Sequence, residues 1–231
     1  MGSLLLAGFG TPVLADSLSP YTAIYQVDRD GTALGRARFT LSSQGENCYL
    51  YRGVATPEGL AALLATETVE ESHFCMQGGK IRPLSYRNQE GKTEDSYTLS
   101  FDWPNRLVRM DNGSARKVSA DGIDPLSLQL ALRKVLSDAG GQLPGEMTSL
   151  RVVEDDEEKI YSFRVSGRET LTTPLGKLET IRLDRSDDSR KHLRLWLAPT
   201  LAYLPVQVER QRGKGAVTRL KIETLPDSPV D

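Results

Sequence analysis

Three residue types that can bind metals alternate along one predicted strand, at Glu71, His73 and Cys75. Because side chains at i, i+2 and i+4 of a strand point to the same face, a carboxylate, an imidazole and a thiol could converge there. A zinc site would still need a ligand from a second strand, and the only other histidine, His192, begins a distant one. We therefore interpret this set as an exposed strand face, and we predict no metal site and no cofactor.

The other candidates for catalysis are weaker. Residues 154–158 form an acidic run, but the run lacks the spaced oxygen ligands and the glycine of a calcium loop. It also falls where a hairpin turn is expected. Two histidines are a poor supply for nucleophilic catalysis, and there is no G-x-S-x-G elbow, phosphate-binding loop or dinucleotide-binding fingerprint. The sequence thus predicts no catalytic residue and a protein that is not an enzyme.

Cys48 and Cys75 are the only cysteines of the chain. In an oxidising compartment two cysteines suggest one disulfide, and closing a loop of this length would contribute roughly 3 kcal/mol. The alternative is a pair of unpaired thiols, one or both buried as small apolar side chains. The sequence leaves both interpretations open.

The first residues favour export. An apolar run from Leu4 to Leu14 precedes Ala15, and small residues occupy the two positions that signal peptidase selects. The basic segment that normally precedes such a run is missing, so the true start lies upstream or the signal is degenerate; a buried N-terminal segment is the other interpretation. No other stretch approaches the ~18 apolar residues of a membrane span. We predict a soluble periplasmic protein, with residues 1–15 as a signal-peptide remnant.

Charge is balanced along the chain. The 231 residues include 29 Lys and Arg and 31 Asp and Glu, for a formal net charge of −2. Acids and bases are interleaved along the predicted strands, which is typical of a solvated sheet face. This balance gives no electrostatic case for nucleic acid or for an anionic membrane as a partner.

Alternating apolar and polar residues predict strands through most of the chain. The clearest example is Lys191 to Arg210, two strands around a proline-bounded turn, with Leu193, Leu195 and Leu197 on one face of the first strand. Short alternating runs separated by turns continue on both sides of this hairpin. The pattern predicts one β-rich domain over residues 16–226, followed by a polar tail at 227–231.

Two apolar segments interrupt the alternation. The clearer one predicts a helix from Pro125 to Leu136, with Asp124 as its N-cap and proline in the first turn. The other, near residues 57–65, predicts a short helical lip. We therefore expect a mainly β fold: a curled antiparallel sheet or open half barrel of about ten strands, with the helix on its concave face.

Several segments resemble one bacterial family, domain of unknown function 3108, whose members are exported and uncharacterised. The matching segments are, in chain order, Gly59–Leu63, Ile81–Leu84, Asp124–Leu130, Thr173–Ile181, Leu195–Pro199 and Tyr203–Val206. More distantly, the tryptophan strand and the leucine-proline strand after it are similar to the periplasmic lipoprotein-carrier and lipoprotein-sorting superfamily. In that superfamily an incomplete antiparallel barrel closed by helices holds acyl chains. The resemblance implies a cavity for a hydrophobic ligand.

A curled antiparallel sheet commonly encloses such a cavity. The side chains expected to line it come from the lip, the helix and the two tryptophans. They are Leu60, Leu63, Leu64, Trp103, Leu130 and Trp196. For the two tryptophans the alternative role is that of ordinary core aromatics.

The first functional hypothesis is a non-enzymatic periplasmic binding or carrier protein for a lipid or other apolar small molecule. The alternative is an envelope scaffold without a ligand, whose sheet edge or lip docks another envelope protein; it predicts a sizeable exposed apolar patch. An enzyme of unknown class is the third hypothesis, and it needs clustered ionisable groups with perturbed pKa in a cleft. No nucleic acid partner and no transmembrane span are expected.

Overall fold

The computed structural model describes residues 18–91, 96–143, 147–155, 157–188 and 190–225. Within these ranges, fifteen strands form one sheet that accompanies a single α-helix. The strands are β1 (Tyr21–Arg29), β2 (Thr32–Ser43), β3 (Cys48–Pro57), β4 (Thr68–Gln77), β5 (Lys80–Gln89), β6 (Tyr97–Asp102), β7 (Leu107–Met110), β8 (Ala115–Lys117), β9 (Gly122–Ile123), β10 (Met147–Val153), β11 (Glu158–Thr173), β12 (Gly176–Arg185), β13 (Lys191–Ala198), β14 (Leu204–Arg212) and β15 (Thr218–Thr224). The predicted signal-peptide remnant and polar tail lie outside the described residues.

The mainly antiparallel β fold is confirmed, but the expected number of strands, about ten, is corrected to fifteen in the described chain. Part of the difference comes from β8 and β9, which have three and two residues. Strands this short contain too few alternations for the period-two pattern to be recognised.

Strand order explains how the sheet curls. The order is β8-β7-β6-β5-β4-β3-β2-β1-β15-β14-β13-β12-β11-β10-β9, so the first and last strands of the chain pair with each other at the centre. Every pairing is antiparallel except the short parallel contact of β9 with β10. The two edge strands, β8 and β9, are consecutive in sequence and are joined by residues 118–121. The two edges of the sheet must therefore lie close together.

Side chains hold these edges together. The Arg116 guanidinium of β8 donates hydrogen bonds to the carbonyl oxygens of Asp155 and Glu157, at 2.6 and 3.3 Å, in the turn between β10 and β11. The backbone N–H and hydroxyl of Ser119 donate to the Glu158 carboxylate at 2.9 and 2.6 Å. The sheet is thus an open barrel whose gap is bridged by side chains and not by a strand ladder.

Because successive strands are antiparallel, their connections alternate between two ends of the barrel. We call one the lip end; it carries the connections at residues 30–31, 58–67, 186–190 and 213–217. The other is the disulfide end, where Cys48 and Cys75 face each other across β3 and β4 and form a disulfide. Of the two interpretations left open by the sequence, the structure therefore has the bridge.

Helix α1 (Ser127–Asp138) lies inside the curl of the sheet. Its buried leucines, Leu128, Leu130, Leu132 and Leu136, belong to the main core cluster with side chains from strands β2 to β14. The helix begins and ends two residues later than predicted, because residues 125–126 form a turn before it. Asp124 still caps it, since its Oδ1 accepts the Ser127 N–H at 2.8 Å.

A second apolar cluster surrounds Trp196. The long hairpin of β11 and β12 supplies Leu171 and Leu178 to it, and its buried members include Ala198 and Val206. Leu195 and Leu197, by contrast, belong to the main core. Both faces of β13 are therefore buried in this region, which explains why the sequence shows an unusually apolar run there.

Candidate functional site

The six side chains predicted to line a ligand cavity do not come together. Leu130 is 1% exposed in the main core, Trp196 is buried in the second cluster, and Trp103 is half-buried at the disulfide end. Trp103 stacks on Phe101 and donates its indole N–H to the Pro83 carbonyl oxygen at 2.6 Å. The three leucines of the predicted lip lie together elsewhere, at the surface. That any of these residues binds an apolar ligand stays a prediction.

The lip is a 3₁₀ helix, Gly59–Leu63, that continues into Leu64. Short i→i+3 bonds define it, from the Ala61 N–H to the Glu58 carbonyl oxygen and from the Leu64 N–H to the Ala61 carbonyl oxygen. Its side chains point away from the barrel: Leu60, Leu63 and Leu64 are 82%, 80% and 91% exposed. These three side chains form what we call the leucine lip.

Polar anchors hold both ends of the lip on the barrel. The Glu58 carboxylate accepts two hydrogen bonds from Arg36 at 2.9 and 3.0 Å, and Glu67 accepts one from the Thr56 hydroxyl at 2.9 Å. Gly35 allows the lip to start this close to β2, because a Cβ there would lie 2.1 Å from the Thr56 carbonyl oxygen. The leucines are therefore displayed on a fixed base.

The chemistry available to the lip is restricted. Residues 59–65 have the sequence GLAALLA and contain no polar side chain. Such a surface can neither hold a metal nor move a proton. It can only bury apolar area against another apolar phase, which is the source of the hydrophobic effect.

A cleft of about 280 Å³ lies on the same end of the barrel, between the connection before β13 and the connection after β14. Its lining residues are Asp188, Arg190, Lys191, Arg212 and Gly213. We call it the basic cleft, because these described residues include three cationic side chains and one carboxylate. Sequence reasoning missed it, since net charge and interleaving describe the whole chain and not its local arrangement.

Backbone contacts connect the lip to the basic cleft around the rim. The Glu58 N–H donates to the Leu34 carbonyl oxygen at 2.9 Å, which ties the lip to β2. Asp30, in the next turn, exchanges hydrogen bonds with Val217 at 3.0 and 2.8 Å. The Gly213 N–H then donates to the Arg190 carbonyl oxygen at 2.6 Å. Four strand spacings separate β3 from β14, which corresponds to about 20 Å.

Comparison with known proteins agrees with the fold. A family model described as a protein of unknown function, DUF3108, matches residues 21–221. The chain belongs to the DUF3108 family. No curated protein matches the chain.

The fold of this DUF3108 chain is similar to that of a solved structure. It is a beta-barrel-like protein of domain of unknown function DUF1849 from Brucella abortus, with a TM-score of 0.56. The two share 11% sequence identity, and the match covers 93% of this chain and 99% of the other. At this identity the likeness shows the fold alone.

A buried polar cluster positions the helix of the DUF3108 chain. The Asp124 carboxylate accepts hydrogen bonds from the hydroxyls of Ser72 at 2.6 Å and Ser127 at 2.7 Å. Burial raises the pKa of Asp124, while these hydrogen bonds and the backbone N–H groups lower it by less. Although serine and aspartate also occur in hydrolases, His73 is exposed on the neighbouring strand position and faces away. We interpret the cluster as a clamp between β4 and the start of α1.

Two of the three residues considered for metal binding have other partners. Cys75 is in the disulfide, and the Glu71 carboxylate accepts hydrogen bonds from Arg52 and Arg87 at 2.9 and 2.6 Å. Across the described ranges, no group of three or more His, Cys, Asp or Glu residues is placed to hold a metal ion. Likewise, none of the helices described is long and apolar enough to cross a membrane.

Proposed function

We propose that this DUF3108 protein is a non-enzymatic binding protein of the bacterial envelope that engages lipid through its leucine lip. The observation that supports it most is the exposure of Leu60, Leu63 and Leu64 on a segment with no polar side chain. Isolated exposed apolar residues are common, but three adjacent ones on an anchored segment mark an interaction site.

The lip carries enough apolar surface for reversible membrane contact. Full burial of a leucine side chain is worth about 1.5–3 kcal/mol, so three would contribute roughly 5–9 kcal/mol before the cost of association. Interfacial segments that bury an apolar face about 5–10 Å deep bind membranes in this way. The interaction would therefore be reversible, in contrast to a transmembrane anchor.

Lipid is favoured over a protein partner by the size of the lip. At 25 cal/mol per Å², the same leucines correspond to roughly 200–350 Å² of apolar surface. A stable protein interface buries about 800 Å² on each partner and includes directional hydrogen bonds. The GLAALLA segment has no side chain that could make such bonds. The apolar interior of a membrane requires neither a large complementary interface nor directional hydrogen bonds.

Flotation with vesicles of phosphatidylcholine tests this function. The matched variants are Leu60→Ser/Leu63→Ser/Leu64→Ser in the lip and Leu84→Ser/Met147→Ser/Val165→Ser, which changes three exposed apolar residues elsewhere. We expect the wild type and the second variant to float with the vesicles, and the lip variant to lose at least tenfold in partition coefficient. Equal flotation of all three proteins, or of none, would contradict the proposal.

A further inference from the structure

We infer that the basic cleft binds the phosphate of an anionic phospholipid headgroup while the leucine lip contacts the acyl region. This inference rests on the proposed function and assigns the lipid class. The occupant would be a headgroup such as that of phosphatidylglycerol, which carries one negative charge on its phosphodiester.

The strongest support is an unfavourable pair within the sheet. Lys191 and Arg212 lie directly opposite each other across the ladder of β13 and β14. Like charges at directly opposed positions destabilise a sheet, because their side chains are only about 5 Å apart at Cβ. An anion placed between the two cations adds two attractions, at shorter distance, that outweigh their mutual repulsion.

A third cation, Arg190, lies beside Lys191 and Arg212 in the cleft. Arg190 is brought to the cleft by the hydrogen bond from the Gly213 N–H to its carbonyl oxygen. Arg36, Arg52 and Arg87 on the sheet have carboxylate partners, whereas no described carboxylate forms an ion pair with Arg190, Lys191 or Arg212. Guanidinium groups suit this role because their planar fork matches two phosphate oxygens.

Two carboxylates reduce the positive potential without cancelling it. Asp188 lines the cleft and stays ionised, since the Arg190 backbone N–H and, to a smaller extent, the positive charges of Arg190 and Lys191 hold the pKa of Asp188 below its usual value. Glu154 also senses the charge of Lys191, but its oxygens are engaged by Lys159 and Tyr161. Among the described lining residues, three cations against one carboxylate leave the cleft positive.

Size and polarity restrict the occupant to a headgroup. The volume of about 280 Å³ is just below the range of about 300–1,000 Å³ typical of small-molecule pockets. None of the described residues that line it has an apolar side chain, so an acyl chain would gain little by entering it. The acyl region and the phosphate of a phospholipid therefore need different surfaces on the lip end. The leucine lip is the apolar surface, and the basic cleft is the charged one.

Vesicle composition tests the assignment. We expect wild-type protein to bind vesicles of phosphatidylcholine with phosphatidylglycerol more tightly than phosphatidylcholine alone. The variant Arg190→Gln/Lys191→Gln/Arg212→Gln should lose that gain, on the order of 100-fold for three basic residues at a membrane surface, and keep its binding to phosphatidylcholine. The matched control Lys80→Gln/Arg106→Gln/Lys177→Gln removes as many charges from the disulfide end and should retain most of the gain. A gain of equal size in both variants would overturn the assignment.

A soluble lipid separates this inference from the proposed function. Dihexanoyl-phosphatidylglycerol, titrated calorimetrically as a monomer, should bind the wild type and the lip variant and fail to bind the cleft variant. If the protein binds this soluble lipid but not vesicles, the proposed membrane contact of the leucine lip is wrong, and the headgroup site in the basic cleft is supported. Binding of inorganic phosphate with equal affinity would instead show a site for free phosphate and overturn the lipid assignment. Absence of binding to either compound would overturn the headgroup site itself.

Discussion

Helix α1 and the leucine lip are both rich in leucine, yet they occupy opposite environments. In the helix, Leu132 and Leu136 are fully buried in the main core, whereas Leu64 of the lip is 91% exposed. The helix has twelve residues, enough to present a continuous apolar face to the sheet. The lip helix has five and is anchored at the rim, where no described element covers it.

This difference separates two uses of the same side chain. Buried leucines contribute to the stability of the fold. Leucines that remain exposed on an anchored segment are available to contact another molecule. Composition does not distinguish the two uses. The distinction becomes testable because it predicts large effects on unfolding for one segment and small effects for the other.

The largest effect is expected in the helix. Leu132→Ala removes a fully buried side chain and leaves a cavity, which should lower the free energy of unfolding by about 2–5 kcal/mol. Urea denaturation followed by circular dichroism measures the change. A loss below about 0.5 kcal/mol, typical of surface sites, would contradict the assignment of α1 to the core.

A somewhat smaller effect is expected at the clamp. Asp124→Ala removes the helix cap and the acceptor of two buried serine hydroxyls, which should cost roughly 2–4 kcal/mol. Ser72→Ala, which leaves the cap to Ser127 intact, should cost less than this in the same denaturation assay. If the two variants were equally stable, the cap would contribute nothing.

The clamp also predicts a pH dependence. Because burial raises the pKa of Asp124, the folded state holds this proton more tightly than the unfolded state does. The contribution of Asp124 to stability is therefore present below the ordinary carboxyl pKa of about 4 and is lost as the pH rises through the raised value. Relative to wild type, Asp124→Asn should gain stability as the pH increases over this range. Urea denaturation at several pH values measures this difference. If the free energies of unfolding of the two proteins change in parallel with pH, the predicted role of Asp124 is refuted.

The smallest effect on folding is expected in the lip. Leu60→Ser, Leu63→Ser and Leu64→Ser should each change the free energy of unfolding by at most about 0.5 kcal/mol, because the exposed side chains bury little area. Thermal denaturation of the three single variants measures this. A loss similar to that of Leu132→Ala would mean that the lip is buried in the folded protein, and the comparison between the two segments would fail.

Local patterns in the sequence account for the parts of the fold that were predicted. Asp124 and Pro125 indicated the start of the helix because capping involves only neighbouring residues. The hairpin of β13 and β14 was predicted because alternation is visible within each strand. The strand β9 was missed because its pairing with the distant strand β10, and not its own pattern, defines it. The strand β8 pairs with its neighbour β7, but its three residues are too few to show an alternation.

The candidate site was predicted only in part, for a physical reason. The leucines of the lip were recognised as apolar, but their exposure depends on what the rest of the barrel covers. The basic cleft depends on the register that places Lys191 opposite Arg212, and that register includes an irregularity between Trp196 and Leu197. Neither the composition of the chain nor the pattern within one strand reveals which side chains are left exposed or which residues face each other across two strands.

The most direct test of lipid binding by the lip places a reporter within it. In Leu63→Trp, the introduced indole should shift its emission to shorter wavelength on addition of phosphatidylcholine vesicles and be quenched by lipids brominated on their acyl chains. Trp103 and Trp196, measured in the wild type, provide the background and should not respond, since both lie away from the lip end. Emission and quenching that stay at the wild-type level, in a variant that remains folded, would show that the leucine lip does not enter the apolar phase.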